Sequence, residues 1–192
     1  MLNPQNVFFD TLETLIYKNH PYKRSVRPQD LDGMSLANLE KVYRDRFGDF
    51  SDFSFFIVGA YDEAQLRTYC ATYLANLPTM KRKDKIRNIN AVPFSGKQEV
   101  RFNKGESELT MASNVSTGKF KTNQFNNVAM NTLMMVAFEK LRENVRENLS
   151  GVYSIQNWNT LERYPKPFYT VNTWMSCDPE KVDMLNAATF AT

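Results

Sequence analysis

A chain of 192 residues with 42% hydrophobic and 23% charged side chains has the make-up of a folded globular protein, which excludes an intrinsically disordered one. Its formal net charge of +3 is too small to argue by itself for nucleic acid or an acidic membrane as partner, and no apolar run is long enough to cross a bilayer. The start, Met1-Leu-Asn-Pro-Gln, lacks the regions of a signal peptide, although a cleaved signal would leave no trace and the compartment stays open.

Residues 5–17 carry apolar groups at Phe8, Leu12, Leu15 and Ile16, which is helical spacing. His20 is the only histidine and sits before Pro21 in a polar stretch, the usual setting of a surface residue. Residues up to Asp32, with Pro21 and Pro28, read as a linker. Ser35 offers an N-cap, and Leu36, Leu39, Val42, Tyr43 and Phe47 form one stripe of a helix that stops near Gly48. Phe53-Ser-Phe-Phe-Ile-Val58 reads as a buried strand. Asp62 then caps a helix, with Gln65 in the capping-box position and Leu66, Tyr69, Cys70, Tyr73 and Leu74 as its buried face. Strand, turn and helix in that order predict a sheet with helices on it.

Lys81 to Lys85 and Arg87 form the one basic cluster, in a loop between Pro78 and Pro93. No helix carries it and no aromatic residues interleave it, so it reads as a solvated linker rather than a nucleic-acid site. Val100 and Phe102, then Leu109, Met111, Ser113 and Val115, alternate around a Lys104-Gly105-Glu106 turn and predict a hairpin. Thr122 or Asn123 can cap a long helix running to Leu149. Its middle, Thr132 to Phe138, is apolar nearly all round and is expected to be covered on more than one side. Strands follow at 152–159 and 168–176, and Asp178-Pro179-Glu180 carries the signals of a capped final helix. Cys70 and Cys177, the only cysteines, form no disulfide framework and read as reduced core residues.

The stretch Phe138 to Ile155 is the one with chemical content. Gly151 is expected to close the helix in a left-handed conformation, leaving Val152-Tyr-Ser-Ile155 extended. Arg142 and Arg146 lie near one another on the helix, with Tyr153 just past the corner. A guanidinium and a phenol could converge on an oxygen-rich group such as a carbonyl or oxyanion. On residue pattern alone the commoner arrangement is a solvated helix end and a core aromatic, since charge runs on helix surfaces are common and individually worth little. With a single histidine, no Walker or dinucleotide-binding glycine pattern and no nucleophile elbow, the chain contains no familiar catalytic set of its own, and no zinc ligand set.

Five segments in order carry a family resemblance: Met34-Ser-Leu-Ala-Asn-Leu39, Phe53-Ser-Phe-Phe-Ile-Val-Gly59, Tyr73-Leu-Ala-Asn-Leu-Pro78, Leu141-Arg-Glu-Asn-Val-Arg-Glu-Asn-Leu-Ser-Gly-Val-Tyr-Ser154 and Cys177-Asp-Pro-Glu-Lys-Val-Asp183. Together they resemble the C-terminal domain of the pitrilysin (insulysin) family of zinc metallopeptidases, closest to its bacterial two-half members. The resemblance implies an α+β domain of two layers, a mixed, mostly antiparallel sheet packed against helices, as in the processing peptidases. It implies that residues 1–30 are the tail and linker of a preceding domain, and that 31–192 form a domain lacking the zinc motif and truncated in its last helix.

By the same resemblance, the parent is a zinc-dependent metalloendopeptidase whose metal is bound by a missing N-terminal half, in the same chain or a separate subunit. This chain would hold no cofactor, close the peptide chamber and supply Arg146 and Tyr153, seven residues apart, to the substrate and its oxyanion. Arg142, the alternative if the register slips by a turn, and Gly151 at the corner would belong to the substrate-binding part. Ser150 stands where the family commonly has glycine. The partners implied are that half and a peptide substrate, with no nucleic acid and no membrane span. The alternative is a non-catalytic structural or regulatory partner subunit of the same fold.

Overall fold

The computed structural model describes residues 3–105 and 109–192. Its elements are α1 (Pro4–Ile16), α2 (Pro28–Leu31), α3 (Leu36–Phe47), α4 (Glu63–Tyr69), β1 (Thr110–Lys119), α5 (Gln124–Leu141), β2 (Val152–Glu162), β3 (Phe168–Cys177) and α6 (Val182–Ala191). α4 and α5 widen at their C-terminal ends into π-helical turns, Cys70–Leu74 and Arg142–Asn148. Contacts divide the chain into one unit made of 1–25 with 87–192 and another made of 26–86.

The first unit is built on an antiparallel sheet in the order β1-β3-β2, so the α+β class read from the sequence stands. β3 is central and its residues alternate between two covered faces. Met175 and Cys177 meet Leu141, Val145, Ile155 and Leu185, which join the sheet to α5, its π turn and α6. The other face carries Phe168 and Trp174, which receive Phe9 and Ile16 from α1 and Tyr17 just after it. A strand covered on both faces needs apolar or paired polar groups at every position. Asn172 is buried because Ser113 Oγ lies 2.5 Å from its Oδ1. Asn157 Nδ2 donates to Met134 O at 2.9 Å, tying β2 to α5.

His20 is half-buried rather than a surface residue, because its Nε2 lies 2.8 Å from Ile89 O. Both thiols are free, Cys177 buried and Cys70 partly covered. The hairpin expected from Val100 and Phe102 does not form: residues 100–102 join no ladder, and β1 pairs with β3 instead. Glu106 of its expected turn lies outside the described residues. Nor is α5 covered on more than one side. Met134 and Leu141 are buried, but Leu133, Met135 and Val136 are exposed. One sheet face can meet only one stripe of a helix, and no second layer of the described residues takes the rest.

In the second unit the caps are as read: Ser35 Oγ accepts from Asn38 N at 3.2 Å and Asp62 Oδ1 from Gln65 N at 2.8 Å. The burial is not. The stripe of α3 is exposed from Leu36 to Phe47, as are Tyr69 and Tyr73. Phe53 to Val58 joins no ladder, with Phe56 90% and Val58 96% exposed. A strand needs a ladder partner to bury its faces, and none is present among the described residues. Arg82 of the basic cluster is drawn into ion pairs with Asp45 at 3.1 Å and Asp84 at 3.2 Å.

What fastens this unit is Asp49, 5% exposed. Its carboxylate accepts from Ser51 Oγ and Ser51 N, and from Met80 N and Arg82 N at 2.9 Å each, clamping the segment after Pro78 onto the turn after α3. The Ser51 hydroxyl, followed by the Met80 N–H, holds the Asp49 carboxyl well below the usual carboxylate range. A depressed folded value means that this stabilisation is complete above the ordinary carboxylate range and is lost as pH falls through the folded value. Asp49→Asn is therefore expected to lower the thermal midpoint of the 26–86 unit at pH 7 and to flatten its decline in strong acid. Circular dichroism melts across pH check both; an unchanged midpoint would contradict the clamp.

Candidate functional site

The site read from the sequence lies where α5 ends and β2 begins. After Leu141 the helix widens, and the side chains follow the wider spacing: Arg142 pairs back to Glu139 at 2.9 Å and forward five residues to Glu147 at 2.7 Å. Val145, fully buried in the core, pins the turn to the sheet. Arg146, next to it, is exposed and makes no ion pair or side-chain hydrogen bond with the described residues. The two arginines thus separate by environment. Arg142 is engaged with acids of its own helix, and Arg146 is available to an external anion or carbonyl.

The corner that follows differs from the expectation. Ser150, not Gly151, takes the left-handed conformation, with φ of 44°. Gly151 is buried, and for another reason: a Cβ there would sit 2.5 Å from Leu185 Cδ2 and 3.0 Å from Cδ1. The missing side chain lets α6 press onto the start of β2. Spacing alone marks glycine as the helix stop, while close approach is a tertiary demand that no local pattern displays.

β2 opens with an irregular register. Val152 pairs with Cys177 and Ser154 with Ser176, leaving Tyr153 as the extra residue of a β-bulge. A bulge re-aims a side chain, and Tyr153 is 64% exposed, which removes the core-aromatic reading. Its hydroxyl donates to Asp178 Oδ1, while Lys181 Nζ stands 3.8 Å from Asp178 Oδ2. That donated hydrogen bond, and next the carboxylate charge, push the Tyr153 phenol above its ordinary value, so it is protonated at neutral pH. Burial, and then Asp178, raise the neighbouring Cys177 thiol. Tyr153 therefore reaches Asp178 rather than either arginine.

Asp178 is the residue that sequence reasoning missed. It reads as a helix cap, yet its side chain makes no cap bond to the turn Pro179–Lys181. The signal that finds it is the β2/β3 register, since pairing Val152 with Cys177 sets Asp178 just beyond the bulge.

Among the described residues no group of three or more histidine, cysteine, aspartate or glutamate side chains is gathered closely enough to hold a metal ion. Nor is any helix of the described residues long and apolar enough to cross a membrane.

The geometry of the corner makes two predictions. Gly151→Ala forces Leu185 aside and is expected to cost about 1–3 kcal/mol, as overpacking of a core does. Ser150→Gly relieves a left-handed residue and is expected to gain about 1 kcal/mol. Urea unfolding of the three proteins checks the order Ser150→Gly, unchanged chain, Gly151→Ala; the reverse order would contradict it.

Comparison with known proteins agrees with this architecture. The chain is 27% identical over 157 residues to the probable zinc protease PqqL of Haemophilus influenzae, a match that takes in 79% of this chain and 16% of that protein. The periplasmic protease PqqL of Escherichia coli superposes over 98% of the chain with a TM-score of 0.84 at 18% identity, using 21% of its own length. A mutant of the ferredoxin protease FusC in complex with Arabidopsis ferredoxin superposes over 98% with a TM-score of 0.75 at 15% identity, using 20% of its length. Residues 33–192 match the family described as the peptidase M16 inactive domain, and the chain belongs to that family of zinc-protease domains.

Proposed function

We propose that this chain is the metal-free part of a zinc-dependent metalloendopeptidase, where it walls the peptide chamber and presents Tyr153 and Arg146 to the substrate. The exposed Tyr153 on its bulge is the observation that carries the reading. A bulge at the end of a strand aims a protonated phenol outward, and its O–H is the kind of donor that a developing oxyanion needs. Arg146, exposed and unengaged by the described residues, supplies the fixed positive charge that would hold a peptide carbonyl or carboxylate. Arg142, already satisfied by Glu139 and Glu147, serves as the frame of the turn, and Gly151 as the packing point beneath the corner.

On this reading the metal and the general base belong to another part of the parent, in the same polypeptide or a partner subunit, as the family resemblance implies. Residues from 31 on then belong to the metal-free domain, and α1 of the 1–30 segment reaches it from the preceding part of the parent and packs on β3. The apolar side of α5, with Leu133, Met135 and Val136 exposed, fits a surface that meets the rest of the parent or its peptide. A groove of about 590 Å³ beside it is lined by Met134, Met135, Phe138, Gln156, Asn157 and Trp158.

A second reading, a non-catalytic structural or regulatory subunit, draws on one observation: the Tyr153 proton is already taken by Asp178. Kinetics of the full-length protein separate the two. Tyr153→Phe is expected to lower kcat on a quenched peptide by roughly ten- to a thousandfold, the scale of losing one oxyanion donor. An unchanged kcat would favour the structural subunit.

A further inference from the structure

The hydroxyl of Tyr153 carries one proton, and in this structure that proton is directed at Asp178. A phenol so engaged can accept a hydrogen bond but cannot donate a second. The fold builds the contact from three sides. The bulge swings Tyr153 out of the ladder, Asp178 follows the β3 residue paired with Val152, and Leu185 of α6 packs against Gly151 just before the bulge. The Asp178 carboxylate is not consumed as a helix cap, although Asp-Pro-Glu is a cap sequence. It is spent on the phenol instead, with Lys181 3.8 Å from its other oxygen.

We infer that Asp178 is the resting acceptor of the Tyr153 proton, a positioning residue that holds the ring at the sheet corner and is exchanged for a substrate oxygen when the phenol is used. No covalent bond changes in the exchange. The proton stays on the phenol oxygen and only its acceptor changes, from one anionic oxygen to another. Lys181 makes the exchange feasible, because the carboxylate that loses the phenol keeps a cation beside it. Competition between two acceptors for one donor also has a direction: weakening Asp178 as an acceptor frees the phenol for the substrate.

The substrate half of this inference rests on the role proposed for Tyr153 above, whereas the contact itself does not, so two measurements are paired. In the chain labelled with ¹³Cζ-tyrosine, the Tyr153 resonance is assigned by its loss in Tyr153→Phe and titrated. The phenol is expected to titrate above an ordinary tyrosine and to return towards it in Asp178→Asn. The charged and titratable groups facing it are Asp178, Lys181 and the buried Cys177 thiol. A Tyr153 titration unmoved by Asp178→Asn would overturn the inference whatever the activity does.

In the full-length protein, kcat/KM is measured for Asp178→Asn, Tyr153→Phe and the double variant. Asp178→Asn is expected to raise kcat/KM roughly three- to tenfold when Tyr153 is present and to change nothing in the Tyr153→Phe background. An equal fall in both backgrounds means that Asp178 only holds the fold, and overturns the inference. If Tyr153→Phe leaves activity intact while the titration shift is present, the proposed role of Tyr153 fails and Asp178 stands as the acceptor of its proton.

Discussion

The corner between α5 and β2 depends on a contact that leaves no room for a single added carbon atom. Leu185 lies where the Cβ of any residue but glycine would be at position 151, so α6 can settle against the start of β2 only because nothing projects there. From that seat the rest follows. A short turn, Pro179–Lys181, joins β3 to α6, Asp178 stands between the last ladder pair and that turn, and the bulged Tyr153 finds it. Packing on the inside of the sheet thus sets the position of a polar group on its rim. Interiors packed at crystal density transmit such constraints with little slack.

The same corner shows how the protein distributes its charged groups. Arg142 and Arg146 are four residues apart in one helix, yet Glu139 and Glu147 take Arg142 on both sides and leave Arg146 to solvent. The π-helical widening is responsible, since it brings residues five apart into register and lets Glu147 reach Arg142. Exposed ion pairs of this kind add little stability. Their effect here is to fix which guanidinium is available.

Much of this was legible in the sequence wherever the determining interaction is local. The N-caps Ser35 and Asp62, the choice of Asn123 or Thr122 resolved as Asn123, the spacing of α1, and the strands at β2 and β3 are properties of neighbouring residues, and each appears where the pattern places it. What was not legible depends on partners distant in the chain. Phe53 to Val58 has the composition of a buried strand but no ladder partner among the described residues, and α5 has more apolar surface than one sheet face can cover. Gly151 and Ser150 are adjacent, and the sequence cannot say that one is small for packing while the other bears the left-handed turn. Asp178 was hidden by a stronger local signal, its place before a proline. Tyr153 and Arg146 stand out only through the family resemblance of the segment that carries them, and both are exposed.

In the proposed function Arg146 and Tyr153 act together on one substrate. A double-mutant cycle in the full-length protein tests it most directly, with kcat/KM measured for Arg146→Met, Tyr153→Phe and the pair. If both side chains engage the same reacting peptide, each single change lowers kcat/KM and the pair loses clearly less than the product of the two losses. Two full-strength single variants, or losses that simply multiply, would contradict a shared site at this corner.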